Sequence, residues 1–205
     1  MKKLIICMVA AGLFAACEKS DSIDNSIWIA DPDDSGLPKY TEWGYNTFGA
    51  QMGTSYFSSC WRDTPFTMEW HDNDSTLELT MNGCQTYKGR YDWLIKEDMS
   101  LTIIIPCDSV IDSFKKLYLL NGKFFNLTNP DIKVLVRRDN NPQEIVSDIR
   151  SGNFYFKRVQ MLYVDENFEK VIVSGTFDIR YVRDGEKTWL SDGRFDLGVT
   201  QNLFW

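Results

Sequence analysis

The sequence predicts an all-β domain, an antiparallel β-sandwich or open β-barrel of nine to eleven strands with one or two short helices. Three observations predict it. Leu77, Leu79 and Met81 alternate with Thr76, Glu78 and Thr80, the two-residue period of a strand with one buried face. The longest β-like runs, 132–137, 154–164 and 171–182, fill much of the C-terminal third and are rich in β-branched and aromatic residues. Turn-forming clusters separate the runs at short intervals, which suits a sandwich or barrel rather than a parallel α/β sheet.

The chain begins with Lys2 and Lys3, then an apolar run over 4–16. That run is too short to cross a bilayer as a helix and suits the h-region of a signal peptide. It ends Leu13-Phe14-Ala15-Ala16-Cys17. Small residues before a cysteine resemble a bacterial lipobox, with Phe14 replacing the usual aliphatic residue. Cleavage before Cys17 and acylation of Cys17 are therefore expected, and two or more chains would anchor the protein stably. Residues 1–16 are read as a lipoprotein signal peptide, 17–36 as a lipidated acidic tether and 37–205 as a single β domain. The tether carries Glu18, Asp21, Asp24, Asp31, Asp33 and Asp34 against one Lys19. As a flexible coil it would reach roughly 25 Å. Ile23, Ile27, Trp28 and Ile29 interrupt its polarity and are candidates for local docking.

In the domain, residues 47–52 and 55–61 form an expected hairpin around Gly53-Thr54. A second is expected from 67–71 and 76–81 around Asp72-Asn73-Asp74. Asn82-Gly83, a strong hairpin dipeptide, then predicts a turn leading to 84–87. Residues 91–96 and 101–105 are expected to pair across Glu97-Asp98-Met99. Two helices interrupt the pattern. Asp108 is a candidate cap for 108–117, where Val110, Ile111, Phe114 and Leu117 share a face and the charges suit the helix dipole. Asn141, Pro142 and Glu144 predict a helix start, closed by Arg150 and Gly152. Strands follow at 132–137, 154–164 and 171–182. In the last, Val171, Val173, Gly175, Phe177, Ile179 and Tyr181 lie on one face. A turn over 183–186, a short strand over 187–190 and a final one over 194–199 complete the domain.

Composition narrows the function classes. The formal charge is −7, and losing Lys2 and Lys3 makes the mature chain more acidic. That balance argues against nucleic acid and against charge-driven binding of anionic headgroups. Among five cysteines, Cys7 leaves with the signal and Cys17 carries lipid. Cys60, Cys84 and Cys107 remain for one disulfide and one thiol in an oxidising compartment, and spacing leaves the pairing open. The absence of a C-x-x-C pattern argues against a redox or zinc role.

Residues at the two ends of the domain carry a resemblance. Leu37-Pro38-x-x-Thr41-x-x-Gly44-x-Asn46-Thr47-Phe48-Gly49-Ala50 resembles the opening of a family of uncharacterised Bacteroidetes lipoproteins, a domain of unknown function. Val173-Ser174-Gly175-Thr176-Phe177-Asp178-Ile179 and Ser191-Asp192-Gly193-Arg194-Phe195-Asp196-Leu197 are similar to its closing strands, so the resemblance brackets 37–199. The family's Asn-Gly in the first hairpin is Gly53-Thr54 here. The resemblance implies an outer-membrane lipoprotein of the cell envelope and supplies no activity or catalytic residues. Glu18 and Asp21 resemble the acidic signals that send such lipoproteins to the cell surface. Asp21-Ser22-Ile23, Asp74-Ser75-Thr76 and Asp108-Ser109-Val110 fit a short O-glycosylation pattern of that phylum.

Candidate sites are few. Asp31-x-Asp33-x-Ser35-Gly36 with Glu42 has the spacing of a calcium loop. Pro38 within it and the lack of flanking helices favour an acidic tether instead. His71, the single histidine, has no nucleophile-elbow motif to serve and reads as a polar residue at a hairpin end. Several-histidine zinc sites are excluded by count. Two acids across a cleft would be needed for glycoside hydrolysis, and the sequence nominates no pair. Trp43, Trp61, Trp70, Trp93 and Trp189 lie near strand ends or turns, where they serve as core caps or a sugar-stacking platform. The alternation Leu197-x-Val199-x-Gln201-x-Leu203-x-Trp205 resembles an outer-membrane barrel signal, yet the strands are too polar for lipid, and an edge strand or tail is expected. The expected function is a lipid-anchored, non-enzymatic binding module, with glycan as ligand and no cofactor, catalytic or metal residues. An accessory lipoprotein that binds another envelope protein comes second and a glycoside hydrolase third.

Overall fold

The alternation at 76–81 is a strand, and it lies within a single antiparallel sheet. A computed structural model describes residues 26–60, 64–89, 94–138, 141–146, 148–183 and 185–205, with only the backbone at 141–145 and 183. Among these, eleven strands run β1 (Thr47–Met52), β2 (Ser55–Ser59), β3 (Phe66–His71), β4 (Thr76–Lys88), β5 (Leu94–Pro106), β6 (Phe124–Asn126), β7 (Lys133–Arg138), β8 (Asn141–Ile145), β9 (Ile149–Val164), β10 (Asn167–Arg183) and β11 (Glu186–Val199). Their order across the sheet is β6-β9-β10-β11-β1-β2-β4-β5-β7-β8, and β3 also pairs with β4. The sheet curls into a half-barrel, the open-barrel form of the expected all-β class. Short 3-10 helices cover Phe114–Leu120 and Gln201–Leu203.

One concave face buries the core. The expected face of β10 is inside: Val171, Val173, Phe177, Ile179 and Tyr181 are buried with Leu101, Ile103 and Ile105 of β5 and Leu77, Leu79 and Met81 of β4. Phe154 stacks on Phe195 at 5.0 Å and meets Phe156 edge-on at 5.1 Å. These are offset and T-shaped geometries that suit the ring quadrupoles. Leu117 and Leu120 of the first 3-10 helix join the same core.

Both opening hairpins form as expected, β1–β2 around Gly53 and β3–β4 around 72–75. Five expectations are overturned. Asn82-Gly83 makes no turn: β4 runs straight through it, pairing Ser59 with Gly83. A Cβ on Gly83 would lie 2.3 Å from the Ser58 carbonyl oxygen and 2.8 Å from the Phe48 ring, so glycine is needed for close approach. Glu97-Asp98-Met99 makes no turn either, because β5 is continuous from Leu94 and pairs with β4 along its length. The helix expected from Asn141 is strand β8 followed by the start of β9. There the pairing of β7 with β8 and of β10 with β9 overrides the local capping pattern. The other helix begins later than expected, with Ser113 rather than Asp108 as its cap, its hydroxyl accepting from the Lys115 N–H at 3.4 Å. The expected break at 191–193 is a bulge inside β11, where Asp192 has φ 53°.

The ordered body also begins before residue 37. Ile27 N–H donates to the Tyr45 carbonyl at 2.8 Å, Asp31 N–H to the Leu37 carbonyl and Lys39 N–H to the Ile29 carbonyl. The Asp31 carboxylate pairs with Arg194 on β11. Residues 26–36 are thus held against the domain by main-chain pairing that acidic composition alone does not reveal.

Candidate functional site

The candidate site is a cleft of about 530 Å³ formed by three separate segments. β3 and its turn supply Trp70 and Asp72. The approach to the first 3-10 helix supplies Asp112, Ser113, Phe114 and Lys115. The C-terminal segment supplies Gln201, Phe204 and Trp205.

Main-chain pairing brings the third segment to the first. Trp70 N–H donates to the Trp205 carbonyl at 2.8 Å, and Trp205 N–H donates to the Met68 carbonyl at 2.9 Å. Phe204 bridges Met68 in parallel. The tail expected at the C-terminus therefore lies along the free side of β3, where its backbone groups find partners. Trp70 is half-buried and packs against the core, whereas Trp205 is 69% exposed. The Trp70 indole N–H donates to an Asp72 carboxylate oxygen at 2.5 Å. Across the cleft Asp112 pairs with Lys116 at 2.9 Å. Phe114 is held by Phe168 of β10, their rings 5.4 Å apart. Rigid aromatic faces thus stand beside carboxylate, hydroxyl, ammonium and amide groups. That combination stacks on flat apolar surfaces and hydrogen-bonds polyhydroxyl rims.

Other sequence candidates fall elsewhere. In the calcium-spaced loop, Asp31 is paired with Arg194, and Glu42 accepts from Tyr40 at 3.1 Å and from Arg158 at 3.0 Å. The Asp33 backbone N–H, with Arg194, holds the Asp31 carboxyl below its usual value. Among the described residues no three His, Cys, Asp or Glu side chains stand together as a metal site. His71 Nε2 lies 3.2 Å from a Glu78 oxygen, and Nδ1 lies 3.9 Å from a Glu69 oxygen. Trp43 and Trp189 are exposed but do not line the cleft. Trp61, Trp93 and Cys17 lie outside the described residues. Cys60 and Cys84 form a disulfide, and Cys107 is the free thiol among the described residues.

A second polar cluster ties the ends of the domain together. Buried Asp196 on β11 accepts from the Thr41 hydroxyl and from the N–H groups of Trp43, Gly44 and Tyr45 at 3.1, 2.7 and 3.3 Å. Asn46 accepts from Gly198 N–H at 2.7 Å, and Lys170 donates to the Gly44 carbonyl at 3.0 Å. With every one of these groups engaged within the protein, the cluster reads as an architectural clasp.

Of the cleft residues, sequence reasoning singled out Trp70 for aromatic recognition. It read Asp112 as a dipole-matched helical charge and Trp205 as the end of an edge strand or tail. Their juxtaposition depends on long-range pairing with β3, which no local signal encodes. Comparison with protein-family models, with curated proteins and with solved structures finds no match to this chain.

Proposed function

We propose that the protein is a lipid-anchored binding module of the bacterial cell envelope that captures glycan in the cleft between β3, the first 3-10 helix and the C-terminal segment. The observation that carries this reading is the pairing of half-buried Trp70 with exposed Trp205 beside Asp72, Asp112 and Gln201. Sugar rings present an apolar C–H face and a hydroxyl rim, which such a site meets with stacking and hydrogen bonds. Both carboxylates already hold a donor, Asp72 the Trp70 indole and Asp112 the Lys116 ammonium. That favours recognition over hydrolysis, which needs one acid free to donate a proton. The Cys17 motif supports the anchor and the envelope location.

A secreted Cys17→Ala form, titrated with a broad glycan panel, is expected to show saturable change in tryptophan emission. Trp205→Ala removes a solvent-facing ring while leaving its backbone bonds, and it is expected to weaken binding at least about tenfold, a typical effect of losing a stacking anchor. Absence of binding across the panel, or binding indifferent to Trp205, would sink the proposal. Fractionation of the Cys17→Ala form tests the anchor separately: retention in the membrane would refute it.

A further inference from the structure

We infer that Ile27, Trp28 and Ile29, with Trp43, form a foot that rests in the lipid–water interface and fixes the orientation of the domain on the membrane. The inference rests on the proposed acylation of Cys17. Acidic sequence surrounds Ile27, Trp28 and Ile29, yet their side chains are 53%, 42% and 42% exposed. They are not loose. The Ile27 N–H is bonded to the Tyr45 carbonyl, and the Lys39 N–H is bonded to the Ile29 carbonyl. The domain therefore holds these side chains out towards solvent as part of its own body. Trp43, two residues before Tyr45 on the loop that Ile27 joins, is 67% exposed. Its backbone is fixed from below by Asp196.

The occupant follows from covalent distance. Ten peptide units separate Cys17 from Ile27, so even a fully extended chain keeps Ile27 within about 35 Å of an anchored lipid. Of everything this patch could meet, the bilayer surface is the one body covalently confined to its neighbourhood. The residue types agree: tryptophan and isoleucine suit the interfacial layer, where an amphipathic ring sits at headgroup level and aliphatic groups bury below it. In sequence, the acids Glu18, Asp21, Asp24, Asp33 and Asp34 flank residues 27–29, against Lys19 and Lys39. Contact is accordingly apolar and directed to neutral rather than anionic headgroups.

The test uses the full lipidated chain reconstituted in phosphatidylcholine vesicles containing a brominated phosphatidylcholine, which quenches tryptophan at short range. The wild-type chain is expected to be quenched. Trp28→Phe combined with Trp43→Phe is expected to remove most of that quenching, while the protein stays vesicle-bound. A chain with Ile27→Ser, Trp28→Ser and Ile29→Ser is also expected to remain bound and to lose quenching at Trp43. Retained main-chain pairing in that variant is checked by its unchanged far-ultraviolet circular dichroism. A vesicle-bound wild-type chain with no tryptophan quenching overturns the foot and leaves the anchor standing. Vesicle and membrane attachment that persists in Cys17→Ala without tryptophan quenching overturns the anchor, and the foot with it.

Discussion

Asp196 is the residue on which the opening loop depends. Three backbone N–H groups and a hydroxyl converge on its buried carboxylate. Truncation to alanine would strand those donors without water, so Asp196→Ala is expected to lose about 3 kcal/mol in urea unfolding. Asp178 acts in the opposite sense. Burial first, then the nearby charge of Asp192, raises its carboxyl above the ordinary value, against the pull of Arg180. The folded state thus binds a proton more tightly than the unfolded one, and stability falls as pH rises through that window. Because the group is partly open to water, screening limits the effect, and Asp178→Asn is expected to add about 0.5 kcal/mol at neutral pH. A pH series of unfolding midpoints checks the sign: the wild-type decline should flatten in the variant. Burial, helped by Asp108, pushes the Cys107 thiol up to about 11. Alkylation of the Cys107 peptide at pH 8, followed by mass spectrometry, is expected to be slow in the folded protein and fast in urea, since the thiolate is the nucleophile. At this scale the sequence was readable where chemistry is local. Gly53 and the buried face of β10 were identified, whereas the partner of Asp196, more than a hundred and fifty residues from the loop it holds, was out of reach.

Strands extend further than turn chemistry suggested. Gly83 looks like punctuation in the sequence and Gly175 reads as part of a strand, and both lie in strands where another backbone comes close. A Cβ on Gly175 would stand 1.9 Å from the Tyr155 carbonyl and 2.6 Å from the Phe195 ring. Gly175→Ala is therefore expected to cost about 3 kcal/mol by overpacking. The same logic explains why Asn82-Gly83 was misread: a glycine that permits a left-handed turn and one that permits contact are the same letter. On β4, β5 occupies one side, so β2 and β3 must share the other in succession. The Cys60–Cys84 bridge fastens the chain where β2 gives way to the link towards β3. Closing a loop with a separation of 24 residues is worth about 3 kcal/mol. Reduction is expected to lower the urea midpoint accordingly, and an unchanged midpoint would dismiss the bridge as a stabiliser. The cleft lay beyond sequence reading for a related reason: the pairing of Trp205 with β3 joins elements through space, and only Trp70 carried a local clue.

Across the whole molecule, the first strand lies near the middle of the sheet and the last strand lies beside it. β1 is flanked by β2 and by β11, with Thr47 opposite Asp196. A sheet closed by pairings this distant in sequence gains its reward only after a long loop is shut, so refolding is expected in milliseconds to seconds rather than microseconds. The same arrangement has a bearing on delivery. A chain made from its N-terminus carries β1 without its central neighbour until residues 186–199 have appeared, and the loop over 41–45 waits equally long for Asp196 to clasp it. The half-barrel cannot lock early. If the signal at 1–16 directs export as proposed, a polypeptide that stays loose until its final strand is synthesised remains threadable through a narrow membrane pore, and it acquires its shape on the far side.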